Sequence, residues 1–226
     1  MAVKLSKKEL KQPDAFQSAM EVIMNYIAEN KIRFYAIVTA VILSAVITFG
    51  IYMYWSYYQS SALDMYAKAR SDLARNIGNP DAAQINIKIF QELIAKYPHS
   101  WSARMSHYHL GNLYYSIGEV DNAITEYKKF VSSSRSDKAG VKFLALTSLG
   151  YCYEARKDYQ VALEYYKKAQ KSDSVGFESI GFRNIARAYE ALNDKKNALE
   201  NYKKALQKTN DPFMTVFIKR KISFLS

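Results

Sequence analysis

One spacing recurs along the second half of the chain: a small residue, a tyrosine three later, an alanine twelve after the small residue, and a tyrosine four after that. It reads Gly111, Tyr114, Ala123, Tyr127, then Gly150, Tyr153, Ala162, Tyr166, then Ala186, Tyr189, Ala198, Tyr202. The windows are offset by 39 residues (Gly111 to Gly150) and by 36 (Gly150 to Ala186). A period of this length is one pair of helices that cannot bury its apolar face alone and must stack on copies of itself. The pattern points to a chain that binds rather than one that catalyses.

The small residues at Gly111, Gly150 and Ala186 in a first helix, and Ala123, Ala162 and Ala198 in a second, let antiparallel helices approach closely while tyrosines fill the space beside them. Hydrophilic breaks fall between the helices at 117–121, 155–158 and 192–196. Leu110, Leu149 and Ile185 precede the small residue, and Phe130, Ala169 and Ala205 follow the second-helix alanine by seven. With these positions the chain resembles the tetratricopeptide repeat. The resemblance implies an all-α fold, a right-handed helical solenoid with units at 104–137, 143–176 and 179–212. A degenerate unit is expected at 67–100 on Leu73-Ala74, Phe90, Leu93 and Pro98, with Asn86 where the pattern wants alanine and Ile77 where it wants an aromatic. Pro98 reads as a helix stop. The segment 212–225 opens with Pro212 and is expected to cap the last unit with Phe213, Val216, Phe217, Arg220 and Phe224.

Near the other end, Phe34 to Ser61 contains no charged residue. The stretch 34–58, at about 1.5 Å per residue, is long enough to cross a hydrocarbon core of roughly 30 Å. Tyr52, Tyr54, Trp55, Tyr57 and Tyr58 mark one end and Phe34 and Tyr35 the other, as expected of rings settling at headgroup level. The segment is too long, and begins too far into the chain, for a cleaved leader. Ahead of it Lys4, Lys7, Lys8, Lys11, Lys31 and Arg33 place the amino terminus in the cytoplasm by the positive-inside rule. The expected layout is a cytoplasmic tail at 1–33, a single span at 34–58 and a periplasmic repeat domain at 59–226, in a bacterial inner membrane. In the tail, a helix opening at Pro13-Asp14 and running to about Asn30 gathers Phe16, Met20, Ile23, Met24 and Ile27 on one side. Such a face lies on the inner membrane surface or docks a cytoplasmic partner.

The net charge of +11 raises the question of nucleic acid, but no nucleic-acid partner is expected. The lysine pairs Lys128-Lys129, Lys167-Lys168 and Lys203-Lys204 recur at one repeat position, and two follow a glutamate at helical spacing (Glu164, Glu200). That reads as a solvated helix face, with contact to anionic headgroups or an acidic partner as the second reading. Cys152 is the single cysteine and reads as a small buried thiol. No phosphate-binding glycine loop, nucleophile elbow or paired-cysteine motif is present. His107 and His109 are two apart and point to different sides of a helix, which argues against a zinc site with His99. No enzyme, cofactor, metal or small-molecule substrate is expected.

The repeat resemblance also implies a concave groove lined by the first helices. Its inward positions here are Tyr108, Asn112 and Tyr115, then Thr147, Tyr151 and Glu154, then Arg183, Arg187 and Glu190. Aromatic, amide and guanidinium groups suit an extended or helical peptide, although some of these residues are equally expected to pack against the next unit or the cap. The carboxylate clamp of some members is not carried over, because Thr147, Ser148 and Ile180 break its pattern. The order of basic tail, single span, repeats and terminal helix resembles the inner-membrane proteins of the YfgM type, ancillary partners of the Sec translocon. That resemblance implies an adaptor whose partners are translocon subunits, periplasmic chaperones or unfolded clients. A scaffold for another inner-membrane complex (cytochrome maturation, division or respiratory assembly) and a regulator holding a cytoplasmic response regulator through its tail are the alternatives.

Overall fold

The structure, a computed structural model, describes residues 15–75, 80–133, 140–172 and 175–226. The expected helix start at Pro13-Asp14, the first tail lysines and Ile77 lie outside the described residues. All regular structure among the described residues is helical: α1 (Ala15–Glu29), α2 (Lys31–Arg75), α3 (Pro80–Lys96), α4 (Trp101–Ser116), α5 (Val120–Ser133), α6 (Val141–Ala155), α7 (Tyr159–Lys171), α8 (Glu178–Ala191), α9 (Lys195–Gln207) and α10 (Pro212–Leu225).

Two units divide the chain, Met1–Ser56 and Tyr57–Ser226. In the first, Phe16, Met20, Ile23 and Met24 of α1 are exposed and Ile27 is half-buried. The most apolar 18-residue window of α2 has a mean hydropathy of 2.3, and none of it is buried within the protein. A helix this long and apolar, with no protein covering it, meets the length and composition needed to cross a membrane.

The last part of α2 belongs to the second unit, where it buries Ala62, Tyr66 and Ala69. The Tyr58 hydroxyl accepts a hydrogen bond from the His99 backbone N–H at 3.1 Å, and its ring meets Tyr97 edge-on at 5.2 Å. Gln59 accepts from the Trp101 N–H at 3.2 Å. Tyr58, the last aromatic of the apolar stretch, thus holds the turn between α3 and α4. That turn exists because α3 stops at Lys96, two residues before Pro98, whose ring disfavours helical backbone at Tyr97. Asn86, in the place of an alanine, is buried; its Nδ2 donates to the Ala82 carbonyl at 2.8 Å, and its Oδ1 has no hydrogen-bond partner among the described residues.

From α4 onward each helix packs on the one before it. The hairpins α4–α5, α6–α7 and α8–α9 turn in the same way. Their turns, 117–119, 156–158 and 192–194, each hold the middle residue in the left-handed region: Gly118 (φ +82°), Lys157 (φ +62°) and Asn193 (φ +59°). The next amide, of Glu119, Asp158 or Asp194, donates to the carbonyl of Tyr114, Tyr153 or Tyr189 at 2.8, 2.9 and 2.9 Å. This is the helix-ending motif that satisfies otherwise orphaned carbonyls. Asp158 and Asp194 then cap the second helix, accepting from the amides of Val161 and Asn197.

Inside each hairpin the second-helix tyrosine fills the gap left by the small residue. Tyr127, Tyr166 and Tyr202 are 2%, 1% and 1% exposed, the largest of the fully buried side chains. A Cβ on Gly111 would stand 2.5 Å from the Tyr127 ring, and one on Gly150 would stand 2.2 Å from the Tyr166 ring. Neither gap admits a methyl group, whereas Ala186 is accommodated beside Tyr202.

Between hairpins, the first lysine of two pairs lies over the tyrosine of the next first helix: Lys128 over Tyr153 at 5.7 Å and Lys167 over Tyr189 at 5.0 Å. Gln91 donates to the Tyr114 hydroxyl at 3.0 Å at the equivalent place. The lysine repeat is therefore an inter-hairpin contact as well as a solvated face, each contact contributing about 0.5–1 kcal/mol at an exposed site. At the third pair, Lys204 instead meets Glu200 at 2.6 Å, and α10 offers no tyrosine.

The cap differs from the sequence expectation. α10 starts on Asp211, whose side chain accepts from the amides of Phe213 and Met214, and it covers the stack with Met214, Ile218, Ile222 and Leu225. Phe213, Val216, Phe217, Arg220 and Phe224, expected to do the covering, all face outward. The helix is apolar on two sides, and the aliphatic stripe is the one that fits among Phe182, Ala186, Tyr202 and Leu206.

Cys152 is buried without a disulfide partner, and burial pushes its thiol up to about 12. His109 is enclosed by Phe90, stacked on it at 5.4 Å, and by Tyr66, whose hydroxyl lies 2.8 Å from Nε2. Burial, with the nearby Arg70 charge, lowers its pKa from 6.5 to about 4.

Three outcomes test this packing. Gly150→Ala is expected to destabilise the solenoid by about 1–3 kcal/mol through overpacking, while Ala186→Gly loses only about 1 kcal/mol of helix propensity; urea midpoints of the full chain distinguish them. Lys157→Gly relieves a left-handed non-glycine residue and should stabilise by about 1 kcal/mol, read as a higher melting temperature. The third concerns pH: the unfolded chain protonates His109 near 6.5 and the folded chain only near 4, so stability is full above the first value and falls as pH drops between them. The loss, at most about 3 kcal/mol, should vanish from the pH 6.5-to-4 window in His109→Phe.

Candidate partner-binding groove

The first helices α4, α6 and α8 end side by side, and their last turns carry Tyr115, then Tyr151, Glu154 and Ala155, then Arg187 and Ala191. With Tyr159, the first residue of α7, they line an open concavity of about 360 Å³. Its floor is tied together across two hairpins. Arg187 forms two bonds to the Glu154 carboxylate, Nη2 to Oε2 at 2.7 Å and Nε to Oε1 at 3.2 Å. Its guanidinium also lies 5.2 Å from the centre of the Tyr151 ring and donates to the Tyr166 hydroxyl at 3.2 Å. Burial works against the charge on Arg187, but the carboxylate beside it more than compensates, and its pKa is raised. Asn184, fully buried, donates to the Tyr151 hydroxyl at 3.0 Å and orients that ring. What remains open to a partner is aromatic, with a charge pair already neutralised.

The other expected groove residues are placed elsewhere. Tyr108 is half-buried, 5.6 Å from Phe130 and 6.1 Å from Tyr127. Asn112 accepts a 2.7 Å bond from the Tyr127 hydroxyl. Thr147 is buried within the stack. Arg183 points to Met214 Sδ at 3.6 Å and to Asn184 at 3.4 Å, between α8 and the cap. Glu190 accepts from the Tyr202 hydroxyl and from Lys221 at 3.0 Å, and lines a second concavity of about 480 Å³ with Phe217, Arg220, Lys221, Phe224 and Leu225. Tyr108, Thr147 and Arg183 occupy one repeat position, a turn or more before the helix end, where the stacked hairpins close over it.

Tyr159, Ala155 and Ala191 were not among the expected groove residues. Their signal is present: Ala155 and Ala191 stand one period apart just before each turn, leaving the floor open, and Tyr159 follows the Asp158 cap directly. His107 and His109 diverge as their spacing predicts, His107 meeting Glu126 at 2.6 Å and His109 meeting Tyr66. Among the described residues, no three His, Cys, Asp or Glu side chains form a group that could hold a metal ion.

Solved structures share this architecture. MamA superposes with a TM-score of 0.54 at 19% identity, covering 67% of this chain and 79% of that one. The pilF protein of Pseudomonas aeruginosa gives 0.57 at 18%, covering 74% and 68%. The TPR-like repeats of a Podosopora anserina kinesin light chain give 0.56 at 15%, covering 74% and 86%. At these identities the likeness is one of fold. No curated protein matches the chain by sequence. A family model described as a tetratricopeptide repeat-like domain matches residues 33–225, taking in the apolar segment of α2 as well as every hairpin. A match of that extent carries the assignment: the chain belongs to the tetratricopeptide repeat-like domain family.

Proposed function

We propose that this protein is a noncatalytic, membrane-anchored adaptor that links the Sec translocon to periplasmic chaperones and their unfolded clients. In this reading 1–33 is the cytoplasmic tail, 34–58 the span in a bacterial inner membrane, and 59–226 the periplasmic repeat domain. The observation that carries it is the concavity of Tyr115, Tyr151 and Tyr159 around an internally paired Glu154 and Arg187. Rigid aromatic rings give contact area at little entropic cost, and the neutralised floor imposes no charge requirement on what binds. Such a surface suits varied extended segments of unfolded chains better than one charged tail. The apolar window of α2, with nothing covering it, supports the anchor.

A second role is favoured by α1, whose Phe16 and Ile23 are 71% and 51% exposed along one face with Met20, Met24 and Ile27. In this role the tail lies on the inner leaflet or holds a cytoplasmic partner, as a regulator would.

Photoreactive side chains introduced at Tyr115 and Tyr159, in the full chain in its native membrane, test the adaptor reading. Translocon subunits, periplasmic chaperones or nascent envelope proteins are the expected captures. Trapping one stable membrane complex without any of these would replace the adaptor with a scaffold for that complex.

A further inference from the structure

A helix face left to water is ordinarily polar. The outer face of α10 departs from this. Phe213, Phe217, Arg220 and Phe224 follow one another at i, i+4, i+7 and i+11, with Val216 beside them. Phe213 is 88% exposed, Phe224 77% and Val216 68%. The seam runs the length of the helix, about 20 Å at 1.5 Å per residue. Each helix from α4 to α9 packs between the helix before it and the helix after it, and α10 packs on α9. The apolar seam lies on the side of α10 turned away from the stack, without cover from the described residues.

The charged side chains of α10 itself have one sign. α10 carries Lys219, Arg220 and Lys221 and no acidic residue. Of the carboxylates beside it, Asp211 caps the amino end of α10, accepting from the amides of Phe213 and Met214, and Glu190 is already taken by Lys221 and by the Tyr202 hydroxyl. Arg220 has no ion-pair partner among the described residues, and it lines the 480 Å³ concavity with Phe217, Phe224 and Leu225.

We propose that the outer face of α10 docks an amphipathic helix of a protein partner, one whose apolar seam is flanked by aspartate and glutamate. The helical period of the exposed seam selects a helix over an extended strand, because ridges spaced three and four residues apart mesh with ridges of the same kind. A large apolar side chain of the partner enters the concavity, and its carboxylates meet Arg220 and Lys219. The site is separate from the groove of Tyr115, Tyr151 and Tyr159, and stands or falls independently of it.

The test uses the full chain in lipid nanodiscs and a fluorescent synthetic peptide of about five helical turns, with leucine along one seam and glutamate elsewhere. Matched peptides carry glutamine or lysine in place of glutamate. The glutamate peptide is expected to bind most tightly and the lysine peptide at least about tenfold more weakly, with the preference weakening as salt rises. Phe217→Ala combined with Phe224→Ala should weaken the glutamate peptide by about tenfold or more, and Arg220→Glu should reverse the charge preference. These side chains are exposed, so the variants should keep the parent melting temperature, and Tyr151→Ala should leave peptide binding unchanged. Equal binding of all three peptides, or indifference to the α10 variants, would overturn the proposal. So would self-association, or adhesion to phosphatidylglycerol vesicles, that the same substitutions abolish while no peptide binds; the first outcome assigns the face to a second copy and the second to a lipid surface.

Discussion

The solenoid depends on a tyrosine ring held against a residue with little or no side chain. Tyr127 against Gly111 and Tyr166 against Gly150 sit so close that a single methyl group would collide with the ring, and Tyr202 against Ala186 is the looser version of the same contact. Each ring sets how near the two helices of a hairpin approach. Because the ring is rigid and buried, it also sets the hairpin's orientation for the one stacked on it. The identical three-residue turns, with their left-handed middle residue, follow from this constraint. Two helices that must meet at one fixed distance leave one economical way to reverse the chain.

The same tyrosines connect the core to the concave surface. Their hydroxyl ends emerge between the first helices and meet Asn112, Arg187 and Glu190 in turn. A buried hydroxyl needs a partner, so part of the concave face is committed to satisfying the core. The groove accordingly presents a paired charge rather than a free one, Glu154 with Arg187, and Glu190 is likewise paired, with Lys221, in the separate concavity beside α10. The surface left to a partner is mostly aromatic, and recognition there depends on shape and stacking more than on charge.

Apolar surface without protein cover occurs on α1, along the apolar part of α2 and on the outer face of α10. The three differ in character. The α2 surface is apolar on all sides and long enough for a bilayer, whereas α1 and α10 carry one-sided seams suited to a partner or an interface. Cations flank the α10 seam.

The sequence by itself determined the helical repeat, the hairpin turns and the long apolar helix, because each is written in local periodicity and in residues such as Pro98, Gly118 and Asp194 with a single structural meaning. It also foretold that His107 and His109 diverge, since helical geometry alone decides that. Only the tertiary structure decided which groove positions stay open. Tyr108, Thr147 and Arg183 share a helical face with Tyr115, Tyr151 and Arg187, and whether a neighbour covers a given turn depends on how hairpins stack. It likewise decided which side of α10 faces inward. Both sides are apolar, and periodicity cannot choose between them; the shape of the cleft among Phe182, Ala186 and Tyr202 admits the aliphatic stripe and leaves the phenylalanines outside. Local pattern specifies elements, but exposure is a property of neighbours, and neighbours far apart in sequence are set by packing.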